Sequence, residues 1–203
     1  MRKRRFVGTA IAGFAATVGC APTSREAAAT KPTTVTPTPQ ERDIAMTLTV
    51  KSPAFEAGAT IPKRFTGDGE DRSPELSWSG IPDRAKELAL IMDDPDAPTP
   101  EPWVHWVIYK MPASLTGLRE DIAKTVSPAA PAGVRQGKNS FNKVGYGGPA
   151  PPRGHGVHHY HFKLFALDAP LDVQPGLTKP QLLSAMEGHI VAQGELVGTY
   201  ERR

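Results

Sequence analysis

The sequence predicts a mostly β fold with one late helix. Three observations carry that expectation. Short apolar runs alternate with polar residues between turn signals. Proline and glycine are abundant, 21 and 19 residues in a chain of 203, which favours turns over a helical bundle. Only one stretch, Lys179–Ala192, has apolar residues at helical spacing: Leu182, Leu183, Met186, Ile190 and Val191.

Residues 1–20 follow the order of an export signal. Arg2, Lys3, Arg4 and Arg5 are basic, Phe6 to Val18 are apolar and small, and Gly19-Cys20 closes the segment. The apolar run is shorter than the roughly 20 residues that span a bilayer. The sole cysteine falls at the end of the signal. That placement resembles a bacterial lipobox, which makes Cys20 the expected lipidated first residue of an exported, membrane-anchored form. Thr17 stands where a lipobox usually has leucine; simple secretion to the periplasm or medium is the alternative. Residues 21–45 mix proline, threonine and alanine without apolar periodicity, as expected of an extended tether.

The net charge of +3 does not point to nucleic acid. It falls to −1 once the four basic residues at positions 2–5 are set aside, and no lysine-rich strip remains to follow a phosphate backbone.

The body is expected over residues 46–203. Strands are predicted at Thr47–Lys51, Leu76–Ser79, Leu88–Met92, Trp103–Tyr109, Val157–Leu167 and Leu196–Tyr200. Strict alternation puts Trp103, His105, Val107 and Tyr109 on one face, with Val104, Trp106 and Ile108 on the other. In the fifth strand it groups His158, Tyr160, Phe162, Leu164 and Ala166 against His159, His161, Lys163, Phe165 and Leu167. The helix over 179–192 begins with Pro180, tolerated in a first turn, and Gly194 is expected to stop it. Residues 113–144 are weakly patterned; Asn139-Ser140-Phe141-Asn142 within them reads as an ordered loop.

Two stretches carry the chemistry. Asp93-Asp94-Pro95-Asp96-Ala97-Pro98 precedes Trp103-Val104-His105-Trp106, so a loop stiffened by proline presents carboxylates beside a histidine. Gly145 to Pro152 is glycine- and proline-rich and leads into His155 and His158. One reading is an anion pocket of Asp94 or Asp96 with His105 and His158, in which a carboxylate keeps His105 cationic and backbone amides donate. A second is a metal site of two histidines and a carboxylate, weakened because alternation sends His158 away from His159 and His161. In the third the histidines are ordinary hydrogen-bonded residues, the reading favoured for His159, His161 and the helical His189. No Gly-x-Ser-x-Gly elbow, Walker loop or EF-hand spacing is present. No catalytic residue, cofactor or metal is assigned.

Both stretches resemble the two signatures of the phosphatidylethanolamine-binding proteins. The first is Asp93 to Pro98 with Trp103-Val104-His105-Trp106. The second is Gly145-Tyr146-Gly147-Gly148-Pro149-x-Pro151-Pro152 with Gly156 to Phe162. Gly67-Asp68-Gly69 and Ser73 to Trp78 are similar to the bacterial branch described as Raf-kinase-inhibitor-like. The resemblance implies a large central antiparallel sheet packed on a smaller sheet, with a C-terminal helix. It also implies a small anion pocket using Asp94, Asp96, His105, His158 and Tyr160, walled by Gly148, Pro149, Pro151 and Pro152, with Trp103 at the rim. His159 stands where family members often carry arginine, which removes one positive charge. The implied role is binding rather than catalysis. Expected partners are a small anionic or phosphorylated ligand, such as a phospholipid headgroup, and a membrane reached through the anchor. The alternatives are a protein-interaction module that inhibits a kinase or protease, and a small-molecule or metal-assisted enzyme.

Overall fold

The computed structural model describes residues 47–203. The predicted signal, Cys20 and the tether lie outside the described residues. Among these residues, besides a short 3-10 helix at Lys63–Phe65, eight strands and one α-helix occur in the order β1 (Thr49–Lys51), β2 (Leu76–Ser79), β3 (Glu87–Asp94), β4 (Trp103–Pro112), β5 (Gly117–Leu118), β6 (Arg135–Gln136), β7 (Val157–Leu167), α1 (Lys179–Met186) and β8 (Ile190–Glu201). They form a five-stranded sheet, β6-β4-β3-β7-β8, and a three-stranded sheet, β1-β2-β5; every pairing within the two sheets is antiparallel. This is the predicted fold class.

The large sheet is buried on both faces, and each face has its own core. Leu88, Leu90, Met92, Trp106, Ile108, Phe162 and Leu164 pack with Val50, Leu76, Trp78 and Leu118 of the small sheet. Ala89, Ile91, Val107, Tyr109, Phe165 and Leu167 pack with Leu182 and Met186 of α1. All eight residues of β3 are buried, as a strand sandwiched between two layers requires. The order is therefore small sheet, large sheet, helix.

β7 obeys the predicted alternation, with Tyr160, Phe162, Leu164 and Ala166 all facing the small-sheet core. β4 does not. Met92 pairs with Trp106 and Asp93 with Val104, so His105 is the extra residue of a β-bulge. The phase flips there: Val104, Val107 and Tyr109 share the helix-side core, while Trp106 and Ile108 face the small sheet. A second irregularity, between Leu88 and Leu90, falls opposite Lys110, whose φ is 56°.

The helix is shorter than predicted. It ends at Met186, and Ile190 and Val191 belong to β8. Gly188, at φ 78°, turns the chain after Met186, which puts His189 in the connection rather than on the helix. Gly194 is no stop signal but a mid-strand residue of β8: a Cβ there would lie 2.0 Å from the carbonyl oxygen of Leu48. Its backbone must stay bare because the chain entering β1 crosses it, with Leu48 N–H donating to Gln193 O at 2.9 Å. Residues 113–144 contribute β5 and β6, too short for any sequence pattern to register.

Candidate functional site

At one end of the large sheet, on its small-sheet face, lies a cavity of about 220 Å³. Asp94 at the end of β3, Trp103 and His105 of β4, and His158 and Tyr160 of β7 line it together with Pro151 and Pro152. β3 stands between β4 and β7, so residues about fifty positions apart converge. The bulge decides the key placement. Strict pairing would leave His105 facing the helix with Val104 displaced; the extra residue turns its ring towards Tyr160, 5.1 Å away edge-to-face.

His105 is 3% exposed. Its Nδ1–H donates to the Gly147 carbonyl at 2.6 Å, while Gly147 N–H donates to the His105 carbonyl at 2.9 Å. This reciprocal pair staples the second signature to the first. It also fixes the tautomer of the neutral ring, leaving Nε2 as an acceptor. Burial pushes the His105 pKa below its usual value, against the hydrogen bond to Gly147 and the charge of Asp94, which pull it up. The expectation of a cationic His105 held by a carboxylate is therefore corrected: desolvation outweighs the acids, and His105 is neutral at pH 7.

The acid serves the other histidine. Asp94 Oδ2 accepts from His158 Nδ1 at 2.7 Å, with both side chains almost fully buried. Asp94 Oδ1 accepts from Asp96 N–H at 2.9 Å and closes the acidic loop on itself. His158 Nε2 is bonded in turn to His155 Nδ1 at 2.7 Å. The result is a chain from a buried carboxylate through a buried imidazole to an exposed one. Tyr160 differs from them all. Its hydroxyl is buried and has no hydrogen-bond partner among the described residues. Burial, with Asp94 and Asp96 nearby, raises its pKa well above the usual value, so it remains a donor.

Three expected residues are not among those lining the cavity. The Asp96 carboxylate points out and accepts from both the backbone N–H and the ring of His159, at 2.8 and 2.7 Å. Burial would raise its pKa, but these bonds hold it below the ordinary carboxylate range. Gly148 and the buried Pro149 stand behind the wall. A Cβ on Gly148 would lie 2.6 Å from the Phe65 carbonyl oxygen, so this glycine serves the protein's own packing rather than close approach to a ligand. Its N–H donates to Asp71 Oδ1 at 2.6 Å, which also removes it as an anion donor. His161 and His189 are satisfied by Glu195 and Asp168, each at 3.0 Å. Among the described residues no three His, Cys, Asp or Glu side chains converge as metal ligands.

The cavity also has walls that sequence patterns did not reveal: Ala97, Pro98, Thr99, Phe141 and Ala150. Phe141 packs edge-on against Trp103 and His105, with ring centroids 5.3 and 5.5 Å apart. Asn139 fixes its loop by accepting from Phe141 N–H and Lys143 N–H and donating to the Gly145 carbonyl. The asparagine-flanked turn was a signal for order, but nothing in it told which way Phe141 faces.

A family model for phosphatidylethanolamine-binding proteins matches residues 51–201. A UPF0098 protein of Methanothermobacter thermautotrophicus is 48% identical over 155 residues, 76% of this chain and 99% of that protein. Among solved structures, E. coli YbcL, described as a member of the mammalian family, has a TM-score of 0.72 at 32% identity over 77% of this chain and 99% of its own. A phosphatidylethanolamine-binding protein homologue of Chlamydia trachomatis has a TM-score of 0.69 at 39% identity, covering 78% of this chain and all of that one.

Proposed function

The chain belongs to the phosphatidylethanolamine-binding protein family, and from that premise we propose that it is an exported, lipid-anchored binding protein whose cavity takes a small anionic or phosphorylated group such as a phospholipid headgroup. The observation that carries the reading is the Tyr160 hydroxyl, buried at the cavity without a partner among the described residues. A buried donor left unmade costs roughly 1–3 kcal/mol, which a ligand oxygen would recover. His105 Nε2 supplies the complementary acceptor. A singly protonated phosphate monoester fits both, accepting from Tyr160 and donating a P–OH proton to His105.

A fully ionised phosphate suits the site less well. His105 is neutral, Asp94 is already partnered by His158, and His159, where arginine is common in the family, is turned away on Asp96. Binding is therefore coupled to a proton, either on the phosphate or taken up by His105. Affinity for phosphate rises as pH falls.

The test is thermal denaturation with inorganic phosphate or phosphoethanolamine, in wild type and His105→Ala. Ligand that binds only the native state raises the melting temperature. The reading requires a shift in wild type that grows from about pH 8 to about pH 6 and is much reduced in the variant. No shift in wild type, or equal shifts in both, refutes it. The anchor is tested separately: Cys20→Ser should move the protein from the membrane to the soluble fraction, and a variant that stays with the membrane overturns that part.

A further inference from the structure

The headgroup cavity is too small for the remainder of a lipid-sized ligand, so the position of its exits matters. One wall, formed by Phe141 and Ala150, is shared with a second hollow of about 480 Å³. Phe141 and Ala150 are the two residues that line both hollows.

The second hollow has a different chemistry. Its lining includes Tyr146, Gly147 and Gly148 together with Lys124 and Lys143. Lys124 is already committed: its ammonium is 2.5 Å from Asp71 and 5.9 Å from the Tyr146 ring centroid. Asp71 in turn holds Gly148 N–H, so this pair belongs to the frame. Lys143 is exposed, and its ammonium makes no ion pair among the described residues. Yet its backbone is fixed, because its N–H donates to Asn139 Oδ1 at 3.1 Å. The carboxylate of Asp71 is spent on Lys124 and Gly148, so of the two lysines lining the hollow Lys143 is the one without an ion pair among the described residues. Phe141 is 40% exposed, and its loop is tied to β4 through Ser140, which donates N–H to the Val104 carbonyl and accepts from Val104 N–H. Phe141 thus borders both hollows from a loop held in place by hydrogen bonds.

We propose that this hollow is a second anion subsite, in which Lys143 receives a second phosphate or carboxylate of the same ligand whose first phosphate occupies the headgroup cavity. The inference rests on the function proposed above. It narrows the ligand class to molecules with two anionic groups joined by a short apolar or polyol linker. Such a ligand gains from the second contact without losing orientational freedom twice, so the two sites reinforce one another.

The experiment compares inorganic phosphate with a series of linear alkane α,ω-bisphosphates by titration calorimetry, in wild type, Lys143→Ala and Lys143→Glu. Lys51→Ala, an exposed lysine on β1 away from both hollows, serves as a control for net charge. The bisphosphate of best-fitting length should bind roughly three- to tenfold more tightly than phosphate in wild type. Lys143→Ala should abolish that gain and Lys143→Glu should reverse it, with phosphate affinity unchanged in both. The gain should shrink with added salt. If phosphate binds but no bisphosphate binds more tightly, or if Lys51→Ala removes the gain equally, the second subsite is wrong and the headgroup reading stands. If phosphate fails to bind at all, the headgroup reading falls, and this inference with it.

Discussion

Asp93 and Asp94 are consecutive, both buried, and chemically identical, yet they serve opposite sides of the sheet. Asp93 faces the helix side, where Lys163, at 2.9 Å, and Lys179 grip both its oxygens. Asp94 faces the cavity and is held by a single histidine and a backbone N–H. The first is over-neutralised by two cations that tie β3, β7 and α1 together. The second meets one buried imidazole and, among the described residues, no lysine or arginine. One acid closes the fold and the other prepares a site, and only the pleat of β3 separates them.

The contrast can be broken most sharply on the helix side. Replacing Lys163 and Lys179 together by methionine leaves Asp93 buried and unpaired. The protein should lose roughly 3–5 kcal/mol in urea unfolding. Thermal response to phosphate should persist at temperatures where the variant is still folded. A loss below about 1 kcal/mol would mean that Asp93 reaches water and that the helix-side clamp is not structural.

On the cavity side the expected signs are reversed. Tyr160→Phe removes a buried hydroxyl with no protein partner, so the ligand-free protein should be about as stable as wild type or up to ~1 kcal/mol more stable. Phosphate affinity should fall roughly ten- to a hundredfold, the worth of one hydrogen bond to a charged group. Destabilisation together with unchanged binding would show that the hydroxyl already has a partner and faces no ligand.

A third measurement uses pH. Burial lowers the His105 pKa in the folded protein, so the unfolded chain binds this proton first. His105 therefore contributes stability that is complete above about pH 6.5 and is lost as pH falls towards its lower folded value. His105→Gln should flatten that part of the stability profile. Saturating phosphate should also flatten it in wild type, by letting the folded protein take up the proton. Unchanged profiles in both cases would contradict a neutral His105.

The smallest effect belongs to His155. It caps His158 Nε2 from a loop flanked by Gly154 and Gly156, both at positive φ with open space around them. His155→Ala should change stability by less than about 1 kcal/mol. By freeing His158 Nε2 it should raise phosphate affinity about two- to threefold. A fall in affinity would instead make His155 part of the ligand's own contacts.

Much of this was legible in the chain, and the reason differs from residue to residue. Leu88–Met92 reads as a buried strand because it is a short continuous apolar run, and Val157–Leu167 reads as a strand because its side chains alternate at period two. Asp94, Trp103, His105, Pro151, Pro152, His158 and Tyr160 could be named from two signatures, since each lies where a strand ends or a proline-rich wall begins. Asp96 and Gly148 stand outside the cavity lining, and the sequence does not signal this because a carboxylate and a glycine look the same whether they serve a ligand or the frame. Phe141, Asp71 and Lys143 come from stretches with no periodicity, so only long-range packing reveals their places.

The sequence alone determined the strands, the two signatures and the pair of histidines, because periodicity and residue chemistry are local properties. Tertiary structure decided the direction of each group. A one-residue bulge turned His105 into the cavity, burial then stripped it of its expected charge, and the pleat of β3 gave Asp94 to His158. Pairing register and desolvation arise only when distant segments meet, and no local pattern in the chain encodes them.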